Sequence, residues 1–210
     1  MSAEVPRLFV FARHAESTAN TAHALSSDPR PVALTERGRA QARALGAQLA
    51  NVRIDLAVGT RFQRTQETIG IALHGRGVPV LIEPGFDELR AGDLDGAPVE
   101  AYRSWRRQHT LSDRLPHGES PDDAFGRYAN ALRSLLARTE AVTLVVLHES
   151  ALRNIARRRR RRVTLARRGG RRRDPVSVRR ARRRACRNGP GRHGRVRPAR
   201  PGLPPRGRGW

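Results

Sequence analysis

The 210-residue chain contains no lysine; its 42 strongly basic residues are all arginine. Alanine, glycine and proline are plentiful. That bias marks a GC-rich coding sequence, where arginine codons are common and lysine codons scarce. Arginine content alone therefore says little about binding. Cysteine is nearly absent: Cys186 is the only one. An intrachain disulfide is excluded, which fits a reducing compartment. Long apolar runs are missing as well. The N-terminal "LFVFA" is too short for a secretion signal and leads straight into Arg13-His14. No run approaches the ~20 residues of a membrane span. The expectation is a cytoplasmic protein with no membrane partner.

Acidic residues are scarce in one region only. Residues 1–156 hold 19 Arg and 18 Asp or Glu, whereas residues 157–210 hold 23 Arg and a single acid, Asp174. The first segment has the charge balance of an ordinary globular domain, long enough for a sizeable core. The second is a polycation with almost nothing to bury, and its composition reads as disordered. Two regions follow: a domain at 1–156 and an Arg/Gly/Pro-rich tail at 157–210.

Within the domain, apolar runs alternate with helical patterns. Short strands are expected at Leu8–Ala12, Ile54–Val58, Val78–Glu83 and Val142–Leu147. Between them, "LTERGRAQARALGAQLA" reads as a helix capped by Thr35, with Ala42, Leu45 and Leu49 on one face. "RFQRTQETIGIAL" reads as a second helix, ended near Gly75 and Gly77. A third begins near Val99 and includes Tyr102 and Trp105. A fourth is capped by Ser120 and carries Ala124, Tyr128, Leu132, Leu135 and Leu136 on one face. The class is α/β: three layers, a mainly parallel sheet with helices on both faces.

Ligands of such sheets bind at the C-terminal ends of the strands. His14 follows the first strand, Thr60 to Arg64 the second, Glu88 lies a few residues beyond the third, and His148 follows the fourth. A histidine there is a nucleophile if one ring nitrogen is free and the other donates to a backbone acceptor. Arg13 offers a planar fork for phosphate oxygens, and Ser17, Thr18 and Asn20 add neutral donors. Arg64, early in a helix, suits an anion. His148 can stabilise charge on a transferring phosphoryl group. Glu88, in a loop beside Asp87, Asp93 and Asp95, suits an acid that protonates a leaving oxygen, with Glu119 in "PHGES" as its rival. Taken singly, the arginines and histidines read better as surface arginines and core or loop histidines, and Glu88 also reads as part of a solvated acidic loop. Their joint placement is the signal.

The motifs "RHAESTAN", "LTERGRAQA", "TRFQRTQET", "FDELRAGDLDG", "PHGES" and "VVLHESALRNI", in this order, resemble the histidine phosphatase superfamily, also called phosphoglycerate-mutase-like. The resemblance covers about residues 7 to 156. It implies a covalent phosphohistidine mechanism on a small phosphorylated substrate, with no metal or other cofactor. His14 matches the nucleophile. Arg13, Arg64 and His148 match the phosphate pocket, Asn20 matches a further phosphate contact, and Ser17 lines the pocket. Glu88 matches the acid and base. Three positions depart from the family pattern: Ala15 and Glu149 stand where Gly usually follows each histidine, and Thr60 replaces Ser. Glu149 places a negative charge beside a phosphate site unless it points away. Family mutases usually carry Trp before the Asn of the first motif, followed by a longer substrate-gripping segment. Here Ala19 precedes Asn20, and "TAHALSSDPRPVA" lacks that segment. The expectation is a phosphatase, with mutase-type transfer as the alternative.

For the tail, three readings compete. Its arginines suit non-specific nucleic-acid binding through Arg157 to Arg208, though no aromatic interleaves with them and Trp210 stands alone. An anionic membrane is a weaker match, without a lipidation signal or amphipathic helix. The preferred reading is a reading-frame shift in the gene near codon 156. GC-rich alanine codons read two bases out of phase become arginine codons, and the family's closing strand and helix are missing from the pattern. The expected consequence is a complete catalytic constellation on a domain with an exposed sheet edge.

Overall fold

A computed structural model describes residues 7–157. Four parallel strands, β1 (Leu8–Arg13), β2 (Leu56–Gly59), β3 (Val80–Ile82) and β4 (Val142–Leu147), form one sheet in the order β1-β4-β2-β3. β4 lies between β1 and β2, with Val145 opposite both Phe11 and Val58. Its burial explains its composition: Leu144 to Leu147 are all fully buried. Because side chains alternate across a strand, Val145 and Leu147 face one side of the sheet and Leu144 and Val146 the other. An unbroken apolar run is what a strand covered on both faces requires.

The helices supply the two covers. On one face, α5 (Pro121–Leu136) packs Ala124, Tyr128, Ala131 and Leu135 against Val58, Val145 and Leu147. On the other, α2 (Glu36–Gln48) and α3 (Gln63–Ala72) bring Leu45 and Ile69 together with Ala57, Leu144 and Val146. The α/β, three-layer reading is therefore correct. Local chemistry sets the helix starts as expected. The Thr35 side chain accepts from the Gly38 amide at 2.9 Å, and Ser120 accepts from the Asp123 amide at 3.1 Å while the Asp123 carboxylate accepts from the Ser120 amide.

Several expectations need correction. Ile54 is buried but precedes β2, and β3 is only three residues long. Leu136 is 43% exposed, because it follows buried Leu135 by one residue and so lies about 100° round the helix from it. The loop after β1 contains a short helix, α1 (Thr18–Thr21), and the acidic loop contains two 3₁₀ turns, Pro84–Phe86 and Gly92–Leu94. α4 (Val99–Gln108) starts where the sequence indicated.

Among the described residues β1 is one edge of the sheet, and Phe9, Val10, Phe11 and Ala12 are only half-buried there. Residues 149–157 are helical after β4. The expectations for the tail beyond residue 157, including its disorder and the missing closing strand, lie outside the described residues. No described helix is long and apolar enough to cross a membrane.

Candidate active site

The parallel register places the ends of β1, β2 and β4 side by side, since Arg13 pairs with Leu147 and Val58 with Val145. His14 and His148 each leave the sheet one residue later. Their rings meet edge to face, with centroids 5.3 Å apart. The His14 amide donates to the Leu147 carbonyl at 2.9 Å, which locks the two strand mouths together. The adjoining loop is held from α2. A Cβ on Gly38 would stand 2.0 Å from the Glu16 carbonyl oxygen, so only glycine permits this approach.

His14 is 7% exposed. Its Nδ1 lies 2.8 Å from the Ala15 carbonyl oxygen, an atom that can only accept, so Nδ1 carries the proton. Nε2 then holds the lone pair and accepts from Arg64 Nε at 3.2 Å. This is the tautomer a nucleophile needs. Burial, followed by the charge of Arg64, lowers its pKa to about 3.

Arg64 enters from the first turn of α3 and is buried. Its guanidinium donates to Ser26 Oγ at 2.9 Å, to the Ser26 carbonyl at 2.8 Å and to His148 Nδ1 at 3.2 Å, and it lies over the Phe62 ring. Burial lowers its pKa to about 10, which leaves it charged at neutral pH. The other ring nitrogen of His148, Nε2, is 3.0 Å from Thr60 Oγ1. With Nδ1 accepting from Arg64, Nε2 is the protonated nitrogen. His148 is fully buried, and burial together with Arg64 drives its pKa well below the usual value. His148 Nδ1 is thus a neutral acceptor towards Arg64.

The remaining candidates divide. Ser17 and Asn20 line the same cavity of about 520 Å³ as Arg13, His14, Arg64 and Glu88. Asn20 Oδ1 accepts from both the amide and the hydroxyl of Ser17, so its amide NH₂ is not used in that cap. Arg13 is tied at 2.9 Å to Glu149, which also pairs with Arg153. Glu149 thus does not point away: it occupies the arginine expected to clamp phosphate. Glu88 Oε2 faces His148 Nδ1 at 4.0 Å.

Glu119, the rival acid, does not reach this cavity. It is buried and accepts from Arg127 Nη2 at 2.5 Å and from the Arg90 amide at 3.0 Å. These bonds tie it to Arg127 of α5 and to the backbone of Arg90. Arg127, held by Glu119, donates to the carbonyls of Gly85, Asp87 and Glu88 and so staples the Glu88 loop to α5. The neighbouring acids are likewise taken: Asp87 by Arg61, Asp93 by His117, Asp95 by Ser27 and Arg30. A second hollow of about 540 Å³, which shares Ser27 and Glu88 with the first, is lined by these paired charges and reaches neither His14 nor His148.

Sequence reasoning missed Ser26 and Thr68. Ser26 sits in an irregular loop with no local signal. Thr68 follows Arg64 by one helical turn; its hydroxyl donates to the Arg64 carbonyl and accepts from the Ala15 amide at 3.0 Å. The i, i+4 spacing from Arg64 was the available clue. Among the described residues no three His, Cys, Asp or Glu gather as a metal site.

Two buried histidines with an arginine between them thus meet at the strand mouths of a parallel α/β sheet. The family model for the histidine phosphatase superfamily (branch 1) matches residues 9–187, and the chain belongs to that superfamily. It is 33% identical over 164 residues to a 2,3-bisphosphoglycerate-dependent phosphoglycerate mutase of Methylobacterium radiotolerans, covering 70% of this chain and 76% of that one. It is 28% identical over 153 residues to an adenosylcobalamin/alpha-ribazole phosphatase of Salmonella typhimurium, covering 67% and 73%. The crystal structure of the alpha-ribazole phosphatase from Shigella flexneri aligns with a TM-score of 0.64 at 27% identity, covering 71% and 78%.

Proposed function

We propose that the protein is a metal-independent phosphomonoester hydrolase working through a phosphohistidine on His14. The observation that carries this reading is the tautomer of His14. Nδ1–H is committed to the Ala15 carbonyl, and the Nε2 lone pair is presented beside Arg64 in the cavity.

In the first step Nε2 attacks phosphorus as the ester P–O bond breaks. The leaving oxygen takes a proton from the Glu88 carboxyl group. Arg64 transfers its N–H groups from the histidines to the phosphoryl oxygens, and the Asn20 amide adds a neutral donor. His148 takes up a proton from solvent at Nδ1 as the dianion enters, donates a hydrogen bond to it, and releases that proton to solvent when phosphate leaves, since the incoming charge opposes the effects that keep the ring neutral. In the second step Glu88, now a carboxylate, removes a proton from water as the oxygen attacks phosphorus. The N–P bond breaks, its electron pair returns to Nε2, and inorganic phosphate leaves.

The absence of a bulky residue at Ala19 beside Asn20 favours hydrolysis over transfer, because both line a cavity open to water. Mutase-type transfer is the alternative, supported by the Methylobacterium relative. The test is hydrolysis of an aryl phosphate in excess EDTA. Activity that persists with EDTA and vanishes in His14→Ala supports the proposal. Unchanged hydrolysis in that variant overturns the nucleophile.

A further inference from the structure

Glu88 is held by a chain of hydroxyl groups that the catalytic scheme above does not use. Ser150 lies in the first turn of the helical residues that follow β4, and its hydroxyl contacts Glu88 Oε1. The Leu89 amide donates to the same oxygen at 2.9 Å. Behind Ser150, the phenol oxygen of Tyr128 stands 3.1 Å from Ser150 Oγ. Tyr128 comes from α5 and is fully buried.

Donor counting fixes the direction of this chain. A carboxylate oxygen only accepts, so Ser150 must donate its single proton to Glu88. Its oxygen is then an acceptor, and Tyr128 must donate to it. Burial raises the pKa of the phenol and the nearby Glu88 charge raises it further, so the phenol keeps its proton. With two donors filling Oε1, any proton that Glu88 carries sits on Oε2. That is the oxygen turned towards His148 and the reacting centre.

We propose that Ser150, backed by Tyr128, is a positioning residue that reserves Glu88 Oε2 for the substrate's leaving oxygen. It serves both halves of the cycle. Oε1 is an acceptor whether Glu88 is a carboxyl group or a carboxylate, so the chain need not rearrange when the proton moves. The inference rests on the reading of Glu88 as the acid.

The experiment is a leaving-group series. kcat/KM is measured with the intact enzyme on phosphomonoesters running from p-nitrophenol to simple alkyl alcohols. An acid matters most for poor leaving groups and supplies roughly 10²- to 10⁴-fold when fully effective. Ser150→Ala is expected to lose about 10-fold or more on alkyl esters and ~3-fold or less on the p-nitrophenyl ester, since a misplaced group retains part of its effect. Ser150→Thr, which keeps the hydroxyl, recovers the alkyl activity. Tyr128→Phe shows the same bias more weakly. A uniform loss across the series in Ser150→Ala, or no loss at all, overturns the proposal, and so does failure of Ser150→Thr to differ from it. Glu88→Gln separates the two levels. If that variant is itself insensitive to the leaving group, the acid assignment fails. If it is strongly sensitive while Ser150→Ala is not, only the positioning role fails.

Discussion

His14 and His148 stand edge to face, 5.3 Å between centroids, and Arg64 donates to one nitrogen of each. Two imidazolium ions could not coexist there with a guanidinium. Burial and that charge drive both rings neutral. The arrangement leaves a free electron pair on His14 Nε2 and holds the Arg64 guanidinium against both rings, in a cavity that Arg13, Arg103 and Arg106 also line. The three residues come from the ends of three different elements, and the β1–β4–β2 register brings them together.

Arg64→Lys tests whether that charge works as a fork. Four hydrogen bonds from one planar group cannot be copied by an ammonium ion. The variant is expected to lose about 10²-fold in kcat/KM, in line with the loss of a charge-stabilising donor. Steady-state kinetics on p-nitrophenyl phosphate reads the result.

The pH dependence follows from His14. Its folded pKa, lowered to about 3, lies below the ordinary 6.5. Between those values the unfolded chain binds a proton that the folded chain refuses, so stability falls as pH drops from 6.5 towards 3. Activity should behave differently. The nucleophile stays neutral through this window, so kcat/KM, corrected for the substrate's own ionisation, should show no acid limb near pH 6.5 that belongs to His14. Urea midpoints at pH 7 and pH 5 should separate less in His14→Asn than in the parent.

Glu149→Gln should tighten the binding of product phosphate. Glu149 now holds Arg13, and both side chains are substantially exposed, so solvent screens the pair. Releasing Arg13 is worth at most about 1 kcal/mol, or roughly 2- to 5-fold in the inhibition constant. Phosphate inhibition of aryl phosphate hydrolysis measures it.

The strand mouths were legible in the sequence because apolar runs ending in a charged or polar residue mark them: Ala12 before Arg13-His14, and Leu147 before His148. The register that joins them was not, since it depends on which strands pair, and β4 inserts between β1 and β2 from far along the chain. Capping chemistry at Thr35 and Ser120 is local and was readable. Glu88 was preferred to Glu119 through the family resemblance alone, because their local sequence does not separate them. Each is a glutamate in a polar loop, and only Arg127 and Arg90, brought in by folding, tie Glu119 down. The tautomer of His14 depends on a carbonyl one residue away and was foreseen in kind. That of His148 depends on Arg64, 84 residues distant, and was not.

The most direct test of the central claim is to trap the intermediate. The enzyme is mixed with a phosphomonoester, quenched rapidly in alkali, and digested for mass spectrometry of the peptide containing His14. A phosphate on His14 that is stable in base, lost in acid and absent from His14→Ala is the predicted result. Phosphate on another side chain, or turnover through the first cycle with none on His14, would contradict the account.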